Sequence, residues 1–151
     1  ELRPQLLDRF GLSVEVLTPD TVDERVEVIK RRDDYDKNPD DYAATWDKEN
    51  RKLRNKIQKA RKSLGSITVD SKILEHCAQI CIDLGSDGLR GELTLVRTAR
   101  ALAAFNDKER VDLGHIKQIA PMALSHRLRR DPLDDAGSGT RVERSVQKII
   151  G

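Results

Sequence analysis

Two arginines in this sequence stand where a guanidinium could reach a phosphate group. The first, Arg9, lies between Asp8 and Phe10 in the opening stretch ELRPQLLDRFGL. Its residue type and position fit an ordinary surface cation paired with Asp8. They also fit a guanidinium at a sheet edge that neutralises charge on a phosphate of another molecule. The residues alone favour the surface cation and leave the second role open.

The second arginine, Arg90, follows a glycine-rich corner in GSDGLRGELTLVRTARALAAF and falls in the first turn of a predicted helix. The N-terminus of a helix presents free N–H groups and a positive dipole end, so an arginine there strengthens an anion-binding position. The alternative is that Arg90 pairs with Glu92 or is simply solvated, and spacing alone favours that alternative.

The two cysteines are the other residues with reactive side chains at helical spacing. Cys77 and Cys81 lie four residues apart in DSKILEHCAQICIDLG, so on a helix they share a face but stand too far apart for a disulfide. A metal site would need His76, which faces away from them. We therefore predict buried free thiols.

Phosphate-binding glycine motifs are missing from this sequence. No GxxxxGK[ST] occurs, so the chain has no phosphate-cradling loop of its own. The glycines at 85, 88 and 91 form GxxGxxG, which is not the dinucleotide-binding pattern. The acidic pairs Asp33-Asp34 and Asp40-Asp41 lack a third ligand at metal spacing, and we predict no metal site.

A basic cluster near the C-terminus has two interpretations. It comprises Arg127, Arg129 and Arg130 in HRLRRDP and could contact a polyanion. Acids follow at once, and only 3% of the residues are aromatic, which disfavours base stacking. A solvated helix end is the favoured interpretation.

The first third of the chain predicts one strand followed by helices. LSVEV, residues 12–16, alternates apolar and polar residues and predicts a short strand. Asp20 or Thr21 then caps a helix that ends in basic residues. After the Asn38-Pro39 break, a charged segment from about 40 to 64 predicts a single long, exposed helix.

The rest of the chain predicts a helical bundle. A mostly buried helix starts at Asp70 or Ser71 and carries both cysteines, and a second begins near Leu89 with small residues that allow close packing. A third contains Pro121. A turn-rich connector from 131 onward leads to a short amphipathic segment.

Composition limits the classes of function. Hydrophobic residues make up 37% and charged residues 36%, and 28 basic side chains nearly balance 26 acidic ones for a net charge of +2. This balance argues against a dedicated nucleic-acid binder. No apolar run reaches the length of a membrane span and no signal-peptide pattern is present, which predicts a soluble intracellular chain. The chain starts without Met inside an apparent element, so we expect a fragment.

Three separated segments carry a family resemblance. LRPQLLDRFGLSVEV, GSDGLRGELTLVRTARALAA and APMALSHRLRRDPLDD together closely resemble the AAA+ ATPase I-subunit family of magnesium chelatase. That enzyme inserts Mg²⁺ into protoporphyrin IX during chlorophyll and bacteriochlorophyll synthesis. The likeness covers nearly the whole chain, and residues 33–69 are its least distinctive part.

The resemblance implies a mainly α fold, with an AAA+ helical lid bundle preceded by the last strand region of an α/β ATPase core. Residues 1–36 would be the end of that core, 37–130 the lid, and 131–151 a connector with a short helix. The P-loop and the acidic Mg²⁺ motif would lie upstream, so ATP and Mg²⁺ would be bound mainly by residues outside this chain. The fragment alone should not hydrolyse ATP.

The resemblance also implies site residues and partners. Arg9 matches the arginine finger that acts on the nucleotide of the neighbouring subunit, with Asp8 beside it at the interface, and Arg90 matches the sensor-2 arginine. The implied partners are further copies in a ring, typically a hexamer, the chelatase D subunit and the porphyrin-binding H subunit, without nucleic acid. The implied location is the cytoplasm of a photosynthetic bacterium or the chloroplast stroma.

Two alternatives remain at this point. The first is a related AAA+ protein, either the chelatase D subunit or a MoxR-type ATPase. A D subunit should continue into an acidic, proline-rich linker, whereas this chain ends soon after RRDP. The second is a helical nucleic-acid-binding module that uses the basic cluster, which salt-dependent DNA binding would reveal.

Overall fold

The structure is a computed structural model that describes residues 4–7, 9–86, 88–128 and 137–151. These residues are mainly helical, which confirms the predicted fold class. The α-helices run over Pro4–Leu7 (α1), Val22–Lys37 (α2), Pro39–Thr45 (α3), Asp47–Ser63 (α4), Ser71–Asp83 (α5), Arg90–Phe105 (α6), Leu113–Leu124 (α7) and Ser138–Ile150 (α8). Short 3₁₀ turns cover Leu64–Ser66 and Ser125–Arg127.

The chain divides into two compact units. One combines Glu1–Val14 with Lys59–Gly151, and the other is Glu15–Gln58. We refer to the first as the bundle unit and to the second as the hairpin unit. Among the described residues, no helix is long and apolar enough to cross a membrane.

The bundle unit is built on α5, α6, α7 and α8. Helix α6 packs against α5 and α7, and α8 packs against α5 and α7. Its core is apolar, and its largest fully buried side chains include Ile80, Leu95, Ile116, Leu124 and Val142. The predicted close approach at the small residues of α6 is confirmed at Ala99, Ala103 and Ala104, which are at most 1% exposed, but is wrong for Ala101, which is exposed.

The bundle unit also contains one short backbone pairing. Thr68, in the predicted linker before α5, forms an isolated parallel bridge with Arg110. The Thr68 N–H donates to the Glu109 carbonyl at 3.0 Å, and the Val111 N–H donates to the Thr68 carbonyl at 2.9 Å. This pairing ties the linker before α5 to the loop before α7.

The strand predicted for residues 12–16 is wrong for this chain. Residues 12–20 have no regular secondary structure, and Val14 and Val16 are 65% and 89% exposed. An extended segment becomes a strand only when a neighbouring strand pairs with its N–H and C=O groups. The described part of the chain contains no strand that could do so.

The hairpin unit consists of helices with polar surfaces. The N–H of Glu24 donates to the Thr21 hydroxyl at 3.3 Å, which confirms a predicted cap, and Asn38 caps α3 in the same way through the N–H of Asp41. Neither α2 nor α3 contains a buried residue. Their stability must therefore come from caps, side-chain pairs and propensity.

The long exposed helix predicted for about 40–64 is confirmed over Asp47–Ser63, but its continuity with residues 40–45 is wrong. Helix α3 ends at Thr45, and α4 begins at Asp47 after Trp46. The Thr45 hydroxyl donates to the Tyr42 carbonyl at 2.6 Å, and the Trp46 N–H turns to the Ala43 carbonyl at 3.1 Å. A side chain thus takes the carbonyl that the next helical N–H would use, and the helix breaks there.

Candidate functional site

Arg9 lies in a tight turn directly after α1. Its own N–H donates to the Leu6 carbonyl at 3.0 Å, and the Phe10 N–H donates to the Leu7 carbonyl at 3.1 Å. The Arg9 side chain is exposed. The backbone of this residue is therefore held while its guanidinium faces outward.

The turn is also bound to the end of α7 by long-range hydrogen bonds. The Phe10 carbonyl accepts from Nη2 of Arg127 at 2.8 Å and from Nε2 of His126 at 3.0 Å. Three residues further on, the Ser13 N–H donates to the Met122 carbonyl at 2.9 Å. Three donor–acceptor pairs thus join the segment after Arg9 to α7 and the 3₁₀ turn that follows it.

Arg127 forms more hydrogen bonds at this site than the sequence predicts. Its half-buried guanidinium also donates from Nε to the Ala123 carbonyl at 3.0 Å and from Nη2 to the Thr94 hydroxyl at 3.3 Å. The interpretation of the basic cluster as a solvated helix end is therefore wrong for Arg127. Arg129 and Arg130 lie outside the described residues.

Arg90 is the first residue of α6 and is exposed. The turn before it is made possible by Gly85 and Gly88, whose φ angles of 66° and 71° disfavour residues with a Cβ. Leu89, at the N-cap, provides no side-chain hydrogen bond to the first N–H groups of α6. The start of α6 therefore combines an exposed arginine with first-turn N–H groups that Leu89 does not cap with its side chain.

Gly91 brings the start of α6 against its neighbours. A Cβ built on it would lie 2.9 Å from Ser86 Oγ and 3.3 Å from Leu124 Cδ2. The absence of a side chain thus allows the Arg90 turn to sit close to α5 and α7. Asp8, the predicted interface neighbour of Arg9, lies outside the described residues.

The cysteines are buried and free, as predicted. Burial, together with the nearby Glu92 carboxylate, raises the pKa of Cys77 to about 11 and that of Cys81 to about 12. These thiols are therefore protonated near neutral pH and serve as core side chains. Within the described residues, no group of three His, Cys, Asp or Glu side chains could hold a metal ion.

The sequence does not predict the roles of His126 and Thr94, and it predicts Arg127 only as a member of the basic cluster, without these contacts. Phe10 and Arg127 are 117 residues apart, and Thr94 and Arg127 are 33 apart. Local spacing carries no signal for such contacts. Only the dense run of cations in SHRLRR marked the region, and it suggested the wrong environment for Arg127.

Comparison with known proteins places this geometry in a family. The family model for the AAA lid domain matches residues 74–149. This range begins in the first turn of α5 and ends one residue before the end of α8. The Magnesium-chelatase 38 kDa subunit of Cereibacter sphaeroides is 57% identical over 150 residues, which are 99% of this chain and 45% of that protein. The protein of the same name from Rhodobacter capsulatus is 56% identical, again over 99% of this chain, and the match covers 43% of its length.

A solved structure agrees at the level of the fold. The crystal structure of a candidate ATPase from Cytophaga hutchinsonii superposes with a TM-score of 0.69 over 99% of this chain and 48% of that one, at 19% identity. The chain spans less than half the length of the curated relatives described above. The resemblance seen in the sequence is confirmed, and the chain belongs to the AAA lid domain family, with magnesium-chelatase 38 kDa subunits among its relatives.

Proposed function

We propose that this chain is the C-terminal part of an AAA+ motor subunit of magnesium chelatase. In this role it couples ATP hydrolysis in a ring, typically a hexamer, to the insertion of Mg²⁺ into protoporphyrin IX. The observation that carries the proposal is 57% identity to a Magnesium-chelatase 38 kDa subunit over 99% of this chain. The proposal includes residues 1–36 as the end of the ATPase core, 37–130 as the lid, and 131–151 as a connector with a short helix.

Arg9 would be the arginine finger of this motor. A finger must be exposed so that it can reach another subunit, and its backbone must be held so that its guanidinium is aimed. Arg9 meets both conditions, since its side chain is exposed and its turn is hydrogen-bonded on both sides. Asp8, next to it in sequence, would belong to the same interface.

Arg90 would be the sensor-2 arginine, which addresses the nucleotide of its own subunit. The start of α6 fits a phosphate group because it combines an exposed arginine with the positive end of a 16-residue helix whose N-cap residue, Leu89, has an apolar side chain. Bound Mg²⁺–ATP would supply the γ-phosphate, and hydrolysis of the bond to this group would release the free energy that drives the motor. The two arginines of this chain would neutralise charge on it from two subunits.

The binding groups for Mg²⁺ and most of those for ATP would lie in the upstream core, since no P-loop motif occurs in this sequence. The chain alone would then not hydrolyse ATP. The chelatase D and H subunits would be the partners of the ring. The location would be the cytoplasm of a photosynthetic bacterium or the chloroplast stroma.

Trans-complementation of ATP hydrolysis tests these assignments. Full-length subunits are prepared with Arg9→Ala, with Arg90→Ala and with a disabled P-loop, and steady-state turnover is measured alone and in mixtures. We expect Arg9→Ala to lower turnover by roughly 10²- to 10³-fold, because one preorganised donor to the transition state is lost. Mixing Arg9→Ala with the P-loop variant should restore part of the activity, because the latter provides intact fingers.

Arg90→Ala should also be inactive but should not recover when it is mixed with the P-loop variant, because sensor 2 acts in its own subunit. Arg54→Ala and Arg97→Ala, at exposed positions on α4 and α6, are matched controls and should turn over normally. Wild-type turnover by Arg9→Ala rings would disprove the finger assignment. Recovery of Arg90→Ala by mixing would disprove the sensor assignment.

A further inference from the structure

One guanidinium in the bundle unit contacts the segments that carry both candidate arginines. Nη2 of Arg127 donates to the carbonyl of Phe10, the residue directly after Arg9, at 2.8 Å. The same nitrogen lies 3.3 Å from the hydroxyl of Thr94. Thr94 lies four residues after Arg90, which is one turn further along the same face of α6.

The Arg127 side chain is held from its own helix end as well. Its Nε donates to the Ala123 carbonyl at 3.0 Å, which orients the plane of the guanidinium. A planar fork with several donors can hold three acceptors at fixed angles, whereas a lysine ammonium cannot. The acceptors come from the segment after α1, from α6 and from α7, so Arg127 joins three parts of the bundle unit.

We propose that Arg127 is a positioning residue that couples α6 to Arg9. The inference rests on the proposed function, in which Arg90 addresses the nucleotide of its own subunit and Arg9 that of the neighbour. A displacement of α6 when Arg90 engages its nucleotide would move Thr94, and Arg127 would transmit that movement to the Phe10 carbonyl. The state of one nucleotide site would thereby adjust the finger at the next site.

The contacts of Arg127 with the Phe10 carbonyl and with the Thr94 hydroxyl can be tested separately with a spin label near Arg9. Gly11 is a suitable position because a Cβ built there meets no atom within 4 Å. Full-length Gly11→Cys subunits carrying a nitroxide are compared by electron paramagnetic resonance, with and without a non-hydrolysable ATP analogue. Subunits without Gly11→Cys measure background labelling.

Arg127→Lys keeps the charge but removes the fork, so the label should become more mobile than in the parent. We also expect kcat for ATP to fall roughly tenfold while KM changes less than about twofold, because the finger acts in the transition state. Thr94→Val removes only the hydrogen bond between Arg127 and α6. It should leave the label ordered but abolish its response to the ATP analogue.

Thr98→Val is the matched control, since it makes the same change one turn further along α6 and should preserve both the order and the response of the label. If Arg127→Lys does not fold, Thr94→Val alone decides the question. An unchanged response of the label to the analogue in Thr94→Val would overturn the coupling. Failure of the proposed function has a different signature from failure of the coupling. If the proposed function fails, Arg9→Ala hydrolyses ATP normally, whatever the label reports.

Discussion

At the scale of single residues, environment separates side chains of one type into different roles. Arg9 is exposed and is held through its backbone, whereas Arg127 is half-buried and its guanidinium donates to two carbonyls and a hydroxyl. Hydrogen bonds donated by a charged guanidinium, as at Arg127, are stronger in a partly buried position than in water. The hydrogen bond from Arg127 to the Phe10 carbonyl therefore holds the backbone next to the exposed cation that is proposed to act.

The buried thiols give a pH-dependent prediction. The pKa values of Cys77 and Cys81 rise from an ordinary 9.0 to about 11 and about 12 on folding. A raised pKa stabilises the fold fully below pH 9, and this contribution is lost as pH rises toward the folded values, because the unfolded chain ionises first. We expect the pair to account for a loss of roughly 2–3 kcal/mol in unfolding free energy between pH 8 and pH 10.

Urea unfolding at the two pH values measures this loss. Other groups also titrate in this range, so the Cys77→Ala/Cys81→Ala variant is the control. Its stability should fall less than that of the wild type over the same range. An equal fall in both proteins would show that the thiols are not protected from ionisation by the core.

At the scale of elements, the start of α6 depends on glycine for two separate reasons. Gly85 and Gly88 have positive φ angles, and Gly91 allows close contact with Ser86 and Leu124. The first reason concerns the backbone and the second concerns packing. Both act on the turn that presents Arg90.

Substitution at Gly91 tests the packing role. Gly91→Val would place a branched side chain where even a Cβ lies 2.9 Å from Ser86 Oγ, so we expect destabilisation by about 1–3 kcal/mol. Gly65→Val is the matched control, because nothing lies within 4 Å of a Cβ there, and it should cost less than about 1 kcal/mol. Chemical denaturation measures both changes, and equal costs would contradict the packing argument.

At the scale of the whole molecule, the two units differ in how they are stabilised. The bundle unit has a continuous apolar core, whereas α2 and α3 of the hairpin unit bury no residue. The hairpin unit has instead surface pairs such as Arg31 with Glu27 and Arg32 with Asp36, each at 2.8 Å. Exposed pairs of this kind contribute little, so the hairpin unit should be the less stable part.

Hydrogen exchange of the isolated chain tests this difference. After correction for intrinsic rates, amides around Leu95 in α6 should exchange at least roughly 10²-fold more slowly than amides in the middle of α2. We expect α6 to open only with the core that buries Leu95, whereas α2 buries no residue and should open by itself. Equal protection in the two helices would contradict the proposed difference in stability.

The sequence by itself determined most of the helices and the environment of the cysteines. Periodicity, the Thr21 cap, the glycines before Arg90 and the spacing of Cys77 and Cys81 are local signals, and the structure confirms what they predict. Three separated segments of the sequence also indicated the family, which the match to the AAA lid domain confirms. The roles of Arg9, Arg90 and Asp8 stay predictions.

Only the tertiary structure decided the strand and the environment of Arg127. Residues 12–16 have a strand pattern, but pairing depends on a partner strand that the described chain does not provide. Arg127 sits in a run of cations, yet its acceptors come from residues 117 and 33 positions away. Local patterns report the preferences of neighbouring residues, whereas these outcomes depend on which distant groups the fold brings within hydrogen-bonding distance.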